Sequence, residues 1–479
     1  MRRRPFALAV AAVVLIGFAL RAYGAMHPEV DPGPDANAYA SLAKALFVHH
    51  SYGDPGQANT SDWSAGAPLL FGAVYFLTGG VHPEAARFFV ALLGAGMVLC
   101  TFLLGRRLGG RWVGLIAALL VATYPTYIEN NEQLLSEPVA GFFLAAGLLG
   151  LLWAADGGRR RWMVPGFALG ALILTRPEYE LISLILVLLV AWRVWRNAGW
   201  RAAAAGCALV AVCAAIVVAP WMYRNHRVIG QWTISTGGGK ALFVGSFLPG
   251  GGRQLATKRV LMDRYLPHTG RFTGKYVHQY PMAPLLDRVA RRYPDLRRDQ
   301  ALGRIGRANL VHYVTTQPVA YARMSATKLW NVFYRGSGPY MRNAGWIAYH
   351  RALLAFGLIG LLLALWRRRT RWLGLLLVAP VACVAAISTV LLAVPRRQVP
   401  IMPLICLFAA FALVSAVGLL RGHRSQDVDA RGAAARRDGG QDARDRREDG
   451  ERDQRPDRDA EHEAVLGQRA GHERGQQPA

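Results

Sequence analysis

The sequence predicts an all-α polytopic membrane protein of about ten transmembrane helices, with a surface helix in the first outer loop and a larger, mixed second outer loop. Three observations lead to this prediction. Hydrophobic residues make up 53% of the 479 residues, which is unusually apolar for a soluble protein. Most of them lie in long uncharged runs, and the short segments between these runs differ sharply in charge.

The apolar runs are long enough, at about 20 residues, to cross a hydrocarbon core of about 30 Å. They span residues 5–25, 86–105, 112–128, 135–155, 162–175, 179–195, 202–222, 346–366, 372–394 and 399–420. TRPEYE, from Thr175 to Glu180, separates the fifth run from the sixth. These two runs form either two helices or one broken helix. The first run has no convincing cleavage site, so we expect it to be an uncleaved anchor.

The positive charges predict which side of the membrane each segment faces. The short segments 1–4, 105–111, 156–162, 193–201 and 366–371 carry 16 Lys or Arg, whereas segments 27–83, 127–136, 176–180 and 394–399 carry 4. Cytoplasmic segments are the ones enriched in Lys and Arg. We therefore predict a multi-pass protein of the plasma membrane, with both termini in the cytoplasm and its active site on the outer face.

Four regions follow from this topology. Residues 1–222 form an N-terminal transmembrane module that includes the first outer loop, 27–83, and residues 346–420 form the C-terminal helices. The large outer loop 223–345 carries 20 Lys or Arg against 4 Asp. This charge is suited to attracting anions, although a solvated basic domain is an equally simple interpretation. Residues 421–479 have few apolar residues and are predicted to be a disordered cytoplasmic tail.

Carboxylates on the outer face are the first candidates for chemistry. Of the 16 Asp and Glu before residue 421, only Asp156 is predicted to face the cytoplasm. Asp35 lies at the start of a predicted helix over 36–46, either as a helix cap or as a carboxylate held at the membrane surface as a general base or metal ligand. A second acidic element lies between the third and fourth apolar runs and consists of Glu129, Glu132 and Glu137.

Cationic side chains recur at the outer ends of the apolar runs, against the overall charge bias. They are Arg176, Arg224, Arg396 and Arg397. A guanidinium is suited to binding a phosphate or pyrophosphate at the interface. The alternative for each arginine is an anchor that holds a helix end at the lipid headgroups.

A glycine-rich stretch, STGGGKALFVGS (235–246), looks like a nucleotide-binding loop. The spacing argues against it. A phosphate-binding loop needs a glycine where this chain has Ile234, and a Ser or Thr where it has Ala241. No nucleotide cofactor is therefore expected. On the outer face the stretch is either a plain structural turn or a turn that brings Lys240 to a lipid phosphate.

Further segments, taken in chain order, form a pattern. They are PDANAY (34–39), APLLFGAVYFLTGG (67–80), LLGRRLGGRWVGLIAALLVATYP (103–125), LLSEPVAGFFLAAGLL (134–149), GFALGALILTRPEYEL (166–181), APWMYRN (219–225), QPVAYARMSATKLWNVF (317–333) and PRRQVPIMP (395–403). Together they resemble the integral-membrane glycosyltransferases of the C-type fold, in the bacterial branch related to protein O-mannosyltransferases and the lipid A aminoarabinose transferase. The resemblance covers about residues 5–420.

The resemblance implies a hexosyl- or pentosyltransferase that takes a sugar from a polyprenyl-phosphate carrier. The acceptor on the outer face would be a protein, a glycolipid or a cell-wall polymer; membrane lipids are expected as partners and nucleic acid is not. Asp35 would activate the acceptor hydroxyl or bind a divalent metal ion. One of Glu129, Glu132 and Glu137 would be the second acidic element. The lipid phosphate would be held by Arg176, Arg224, Lys240, Arg396 and Arg397.

Two departures from the family pattern leave metal dependence and phosphate binding open. Family members often have a second acid after the aspartate, where this chain has Ala36, and many have a Lys or His where it has Ser64 to Ala67. A transporter or lipid flippase is the main competing interpretation. Such proteins usually carry ionisable residues near the bilayer midplane, whereas these runs are charged almost only at their ends. A non-catalytic envelope scaffold with the same fold is the second alternative.

Overall fold

The computed structural model describes residues 3–53, 62–266, 277 and 279–418. Within these residues the regular secondary structure is helical, as the sequence predicts. The described residues up to Ser415 form one compact unit. The tail predicted over 421–479 lies outside the described residues, and the region boundaries proposed above stay predictions.

The described helices are numbered here in chain order. They are α1 (Arg3–Met26), α2 (Pro34–His49), α3 (Gly66–Thr78), α4 (Pro83–Gly109), α5 (Arg111–Ala122), α6 (Pro125–Glu132), α7 (Ser136–Ala155), α8 (Met163–Thr175), α9 (Tyr179–Ala198), α10 (Trp200–Ile229), α11 (Gly238–Ser246), α12 (Gln254–Tyr265), α13 (Ala283–Ala290), α14 (Arg298–Thr316), α15 (Pro318–Tyr334), α16 (Ala344–Trp366), α17 (Arg371–Val390) and α18 (Pro395–Gly418). The first residues of α18, Pro395–Ile401, are a 3-10 helix.

Eight of the described helices are long and apolar enough to cross a membrane: α1, α4, α7, α9, α10, α16, α17 and α18. Helices α5 and α6 add a ninth if they are taken as one span bent by 43°. The remaining predicted run, 162–175, is the helix α8 of 13 residues. At 1.5 Å per residue such a helix is about 20 Å long, which is shorter than a hydrocarbon core of about 30 Å.

Helices α8 and α9 are two separate helices rather than one broken span. Trp162, just before α8, packs against Gly206 near the start of α10, and α10 begins directly after α9 ends. The start of α8 and the end of α9 are therefore at the same end of the bundle, and the chain reverses between them at Arg176–Glu178. Gly166 and Gly170 leave no space for a β-carbon against α10, so these two helices are in close contact.

The break between α5 and α6 is stabilised by a buried arginine that the sequence reading did not single out. Pro125 begins α6, and the carbonyls of Val121 and Ala122 at the end of α5 accept hydrogen bonds from Arg21 at 2.8 and 3.0 Å. The Arg21 side chain is 1% exposed. It therefore satisfies the carbonyl groups that the end of a helix leaves without partners in an apolar environment.

The two outer loops contribute helices of their own. The predicted surface helix is α2, and the described part of the second loop contains the helices α11 to α15 and two short 3-10 helices, where a mixed structure was expected. Helix α10 also continues to Ile229, beyond the predicted end at 222. Helix α11 crosses α14 so closely that a β-carbon on Gly239 would collide with the backbone of Asp299. This contact fixes α11 beside the start of α14.

Helix α18 is the most deeply buried of the candidate spans. Of its most apolar window, 72% is buried, against 22% for α1. All residues from Val399 to Ala412 are buried, and most belong to the largest hydrophobic core, which also includes side chains of α4, α5 and α7. Arg396 and Arg397 lie just before this segment, and Arg397 is itself buried. The arginine pair is thus held at the end of a central, well-packed helix.

Candidate active site

A cavity of about 560 Å³ lies where the start of α2, the turn between α8 and α9, the start of α11, the start of α14 and the start of α18 meet. Its charged lining residues are Asp35, Asp62, Arg176, Lys240, Arg298, Asp299, Arg396 and Arg397. The structure thus brings the predicted aspartate together with four of the five predicted phosphate-binding cations. The fifth, Arg224, is absent from this lining.

Asp35 is held in the first turn of α2 but does not act as its cap. Gly33 is the N-cap residue and Pro34 follows it, and no side chain caps this helix. The Gly33 backbone donates a hydrogen bond to the Gln133 side chain at 3.2 Å, which fixes the start of α2. The Asp35 side chain is 26% exposed and forms an ion pair with Arg396. Its carboxylate is therefore fixed at the cavity wall and still reachable from it.

A chain of alternating acids and arginines continues inward from this ion pair. Arg396 Nε lies 3.5 Å from Glu137 Oε1, and Arg176 lies 2.9 Å from the same oxygen. Arg176 also lies 2.9 Å from Glu178 Oε1. Burial lowers the pKa of Arg176, but the carboxylates of Glu178 and Glu137 outweigh this and raise its pKa well above the usual value. The Arg176 guanidinium consequently stays charged.

Arg397 has a different environment from its neighbour Arg396. Its side chain is 7% exposed, lines the cavity and donates to the Leu392 carbonyl at 2.7 Å. Among the described residues, the Arg397 Nε has no hydrogen-bond partner, and the Arg397 guanidinium forms no ion pair with a carboxylate. Buried arginine donors are normally satisfied. Arg397 is thus a cavity-lining guanidinium that no carboxylate of the described residues neutralises.

The glycine-rich stretch forms the start of α11, and its helix N-terminus already has an anionic partner. Asp299 Oδ1 accepts hydrogen bonds from the backbone N–H groups of Gly239 and Lys240 at 2.8 and 3.2 Å. A carboxylate thus occupies the place that a phosphate takes in a nucleotide-binding loop. The Lys240 side chain lines the cavity, and burial lowers its pKa, which Asp62 partly offsets.

Arg224 lies outside the cavity. Its guanidinium stacks over the rings of Tyr52 and Trp221, with its carbon 5.4 and 4.9 Å from the ring centres. It also donates to the Tyr52 carbonyl at 3.2 Å. These contacts attach the end of the described first-loop segment, residues 50–53, to α10.

Of the three predicted glutamates, Glu137 alone contacts the charged residues of the cavity. Glu129 accepts a hydrogen bond from the Tyr340 backbone at 2.8 Å. Glu132 accepts from the backbones of Glu29 and Val30 at 2.9 and 3.0 Å, and from the Tyr340 hydroxyl at 2.5 Å. Glu129 and Glu132 therefore connect both outer loops to α6.

Three further lining residues were not predicted from the sequence. Asp62 accepts from the Thr236 hydroxyl at 2.6 Å and pairs with Arg298 at 3.2 Å. Arg298 also lies 3.4 Å from Asp287, and Asp299 follows it in the chain. Arg298 is one of many arginines in a basic loop, so no local signal separates it from the rest.

The residues around Asp35 do not form a good site for a divalent metal ion. In the described part of the chain, no three His, Cys, Asp or Glu side chains are grouped so that they could hold one. The carboxylate nearest to Asp35 along the ion-pair chain is Glu137, and Arg396 lies between the two. A divalent cation prefers several oxygen ligands, whereas this arrangement alternates carboxylates with cations.

The segment from Ser64 to Ala67, where the family resemblance led us to expect a Lys or His, packs against Thr175, which precedes Arg176. Ser64 Oγ donates to the Thr175 carbonyl at 2.6 Å, and a β-carbon on Gly66 would collide with Thr175. No long side chain fits at residue 66. The segment thus supports the backbone beside Arg176 instead of supplying a cation.

The chain is similar to known membrane glycosyltransferases. Residues 71–235 match the family model of dolichyl-phosphate-mannose-protein mannosyltransferase. Archaeal oligosaccharyltransferase AglB from Archaeoglobus fulgidus, in complex with an inhibitory peptide and a dolichol-phosphate, is 16% identical, with a TM-score of 0.54 over 88% of this chain and 51% of that one. The apo form of the Archaeoglobus fulgidus oligosaccharyltransferase is 15% identical, with a TM-score of 0.55 over 89% and 52%. No curated protein matches by sequence.

A further similar structure is ArnT from Cupriavidus metallidurans bound to undecaprenyl phosphate, which is 15% identical over 86% of this chain and 78% of that one, with a TM-score of 0.40. The similarity to the oligosaccharyltransferase shows that this chain has the C-type fold of integral-membrane glycosyltransferases, as the sequence resemblance implied. The chain spans about half the length of that enzyme.

Proposed function

We propose that the protein transfers a hexosyl or pentosyl group from a polyprenyl-phosphate carrier to a hydroxyl acceptor on the outer face of the membrane. One observation carries the proposal: Asp35, Arg176, Lys240, Arg396 and Arg397, which come from separate parts of the chain, line one cavity. A base beside a cluster of cations is what displacement of a lipid phosphate requires. The fold and the match to the mannosyltransferase family model support the same class of reaction.

In the proposed reaction the acceptor oxygen attacks the anomeric carbon of the donor sugar. The bond between that carbon and the phosphate oxygen breaks, and the lipid phosphate leaves with the bonding electrons. Asp35 takes the proton of the acceptor hydroxyl. A positioned general base typically contributes about 10²–10⁴-fold to the rate. The sugar is already activated on its carrier, so no nucleotide is needed.

The cations stabilise the negative charge that develops on the leaving phosphate. Arg397 is the principal candidate because it lines the cavity and no carboxylate of the described residues pairs with it. Lys240 approaches the cavity from α11. Carboxylates hold Arg396 and Arg176 in place. Their N–H donors are therefore already oriented and need not reorganise as charge develops on the phosphate.

We assign Asp35 as a base rather than a metal ligand because its neighbour is a guanidinium. Glu137, 1% exposed, is assigned a positioning role for Arg176 and Arg396. Glu129 and Glu132, which contact backbone and Tyr340, are assigned to holding the outer loops on α6. Arg224 is assigned the same kind of structural role at α10.

Charge placement favours this function over transport. In the described spans the buried arginine Arg21 hydrogen-bonds backbone carbonyls, and the charged residues that line the cavity lie at or beyond helix ends. A transporter site would place ionisable groups near the middle of the bundle.

The test is transfer of radiolabelled sugar from synthetic polyprenyl-phosphate donors to endogenous acceptors in membranes that contain the protein. The expected result is labelled product with the wild type and a rate at least a hundredfold lower with Asp35→Ala. Absence of product with every polyprenyl-phosphate sugar tried would count against the transferase. A rate that falls on chelation of divalent cations and returns on their addition would assign Asp35 to a metal instead.

A further inference from the structure

A second groove lies at the opposite end of the bundle from the Asp35 cavity. Its walls are apolar residues of α4, α7 and α8, namely Cys100, Leu103, Ala146, Leu149, Trp153 and Val164, and its volume is about 600 Å³. On α7, Trp153 is sixteen residues from Glu137, which corresponds to about 24 Å along a helix. The groove is therefore too far from Asp35 to be part of the site described above.

The groove opens on the surface of the helices rather than into the core. Trp153 is 43% exposed and Val164 is 48% exposed, although both lie on helices of the transmembrane bundle. An apolar surface of this kind faces lipid. A tryptophan near the end of a span is also typical of the level of the lipid headgroups.

The mouth of the groove is basic. Arg106 and Arg107 line it, and the Arg161 guanidinium stacks over Trp153 with its carbon 4.9 Å from the ring centre. Arg107 is neutralised by Asp156 at 2.6 Å, which is the one ion pair that the described residues form at this end of the bundle. Arg106 is exposed and, like Arg161, forms no ion pair in the described part of the chain. A net positive charge therefore remains at the opening.

We propose that this groove binds an anionic phospholipid of the inner leaflet. One acyl chain lies along the apolar walls of α4, α7 and α8, and the headgroup phosphate lies between Arg106 and Arg161. Charge complementarity selects this occupant, because basic pockets between transmembrane helices on the cytoplasmic side bind anionic headgroups. The positive-inside pattern places this end of the bundle in that leaflet. The site is separate from the proposed transfer reaction.

The experiment is native mass spectrometry of the full-length protein released from vesicles of equal parts phosphatidylglycerol and phosphatidylcholine. The wild type is expected to retain phosphatidylglycerol preferentially. Arg106→Gln combined with Arg161→Gln is expected to reduce this preference about thirtyfold, since each of the two cations near the membrane surface is worth about 1 kcal/mol of attraction. The matched control combines Arg196→Gln with Arg201→Gln, which removes the same charge from the same end but outside the groove.

Val164→Trp tests the groove without changing its charge. It places a large side chain on the apolar wall at an exposed position, so the protein is expected to fold and to lose bound phosphatidylglycerol. Equal retention of the two lipids by the wild type would overturn the proposal. An equal loss of preference in the groove pair and the control pair would also overturn it, because the attraction would then be a general property of the basic surface. Neither outcome bears on transfer at Asp35.

Discussion

The Arg176 guanidinium lies 2.9 Å from Glu137, a carboxylate that is 1% exposed at the start of α7. Glu137 also lies 3.5 Å from Arg396. One buried acid therefore orients two arginines of the cavity, while Asp35 and Glu178 hold their other sides. This arrangement gives Glu137 a role through the arginines rather than on the acceptor.

Glu137→Gln is expected to raise the donor KM about tenfold or more while the protein still folds, with a lower Tm. Glutamine keeps the shape of the side chain but removes the negative charge that Arg176 and Arg396 share. Removing one partner of a buried ion pair is strongly destabilising, so the Tm should fall. The measurements are transfer kinetics and thermal unfolding of purified protein. The control is Glu180→Gln, an exposed acid nearby. Identical behaviour of the two variants would contradict the role of Glu137.

Arg397→Ala is expected to weaken donor binding far more than Arg224→Ala. A hydrogen bond to a charged group is worth about 1.5–3 kcal/mol, so the donor KM should rise about 10- to 100-fold for Arg397. Arg224 stacks on Tyr52 and Trp221 outside the cavity, and its loss should lower the Tm with little change in KM. Donor titrations of both variants distinguish the two roles, and a larger KM effect at Arg224 would reverse the assignment.

Lys328 should make stability depend on pH. Its side chain is 1% exposed and donates to the carbonyls of Gly245 and Thr389 at 2.9 and 2.8 Å, and burial lowers its pKa to about 7. In the unfolded chain a lysine has a pKa of about 10.4. Between these values the unfolded state binds more protons, so the free energy of unfolding should rise with pH.

The comparison that isolates this effect is wild type against Lys328→Gln, which keeps a donor but does not titrate. The difference in Tm between them is expected to grow in favour of the wild type from pH 7 to pH 9, and to be constant below pH 6. A difference that shrinks as the pH rises would show that Lys328 is held as a cation.

Arg21→Met should destabilise the protein at the α5–α6 break. The substitution removes the Arg21 hydrogen bonds to the carbonyls of Val121 and Ala122, and Val121 keeps a long bond of 3.5 Å from the Tyr124 backbone. Each unsatisfied buried group costs about 1–3 kcal/mol. Thermal unfolding should therefore show a clear loss of stability, whereas Leu15→Ala, at a side chain 63% exposed on the same helix, should have little effect. An unchanged Tm for Arg21→Met would mean that other groups satisfy the break.

The sequence predicted most of this cavity because its charged residues stand next to apolar helix ends. Arg176, Arg396 and Arg397 flank predicted spans, where charge is conspicuous against the surrounding hydrophobic pattern, and Asp35 lies ten residues after the first span, at the start of a predicted helix. These charged residues come together when the spans pack into a bundle with these helix ends on the same side. Lys240 was identified through the glycines that precede it, although Asp299 rather than a phosphate caps that helix.

The remaining features depend on tertiary contacts that leave no local pattern. Arg298 and Asp62 come from different outer loops and meet only in the folded chain. Glu132 looked like Glu137 in sequence, but its partners are backbone N–H groups and the Tyr340 hydroxyl, which periodicity does not reveal. The 43° bend after α5 has a visible cause in Pro125, whereas the arginine that satisfies it lies a hundred residues earlier, in α1.

The most direct test of the central claim is the turnover rate of Asp35→Asn with a polyprenyl-phosphate sugar donor, measured against Asp31→Asn. Asp31 is an exposed carboxylate just before α2 and does not line the cavity. If Asp35 is the base, kcat falls about 10²–10⁴-fold in Asp35→Asn, and Asp31→Asn keeps the wild-type rate. A wild-type kcat in Asp35→Asn, or an equal fall in both variants, would contradict the account.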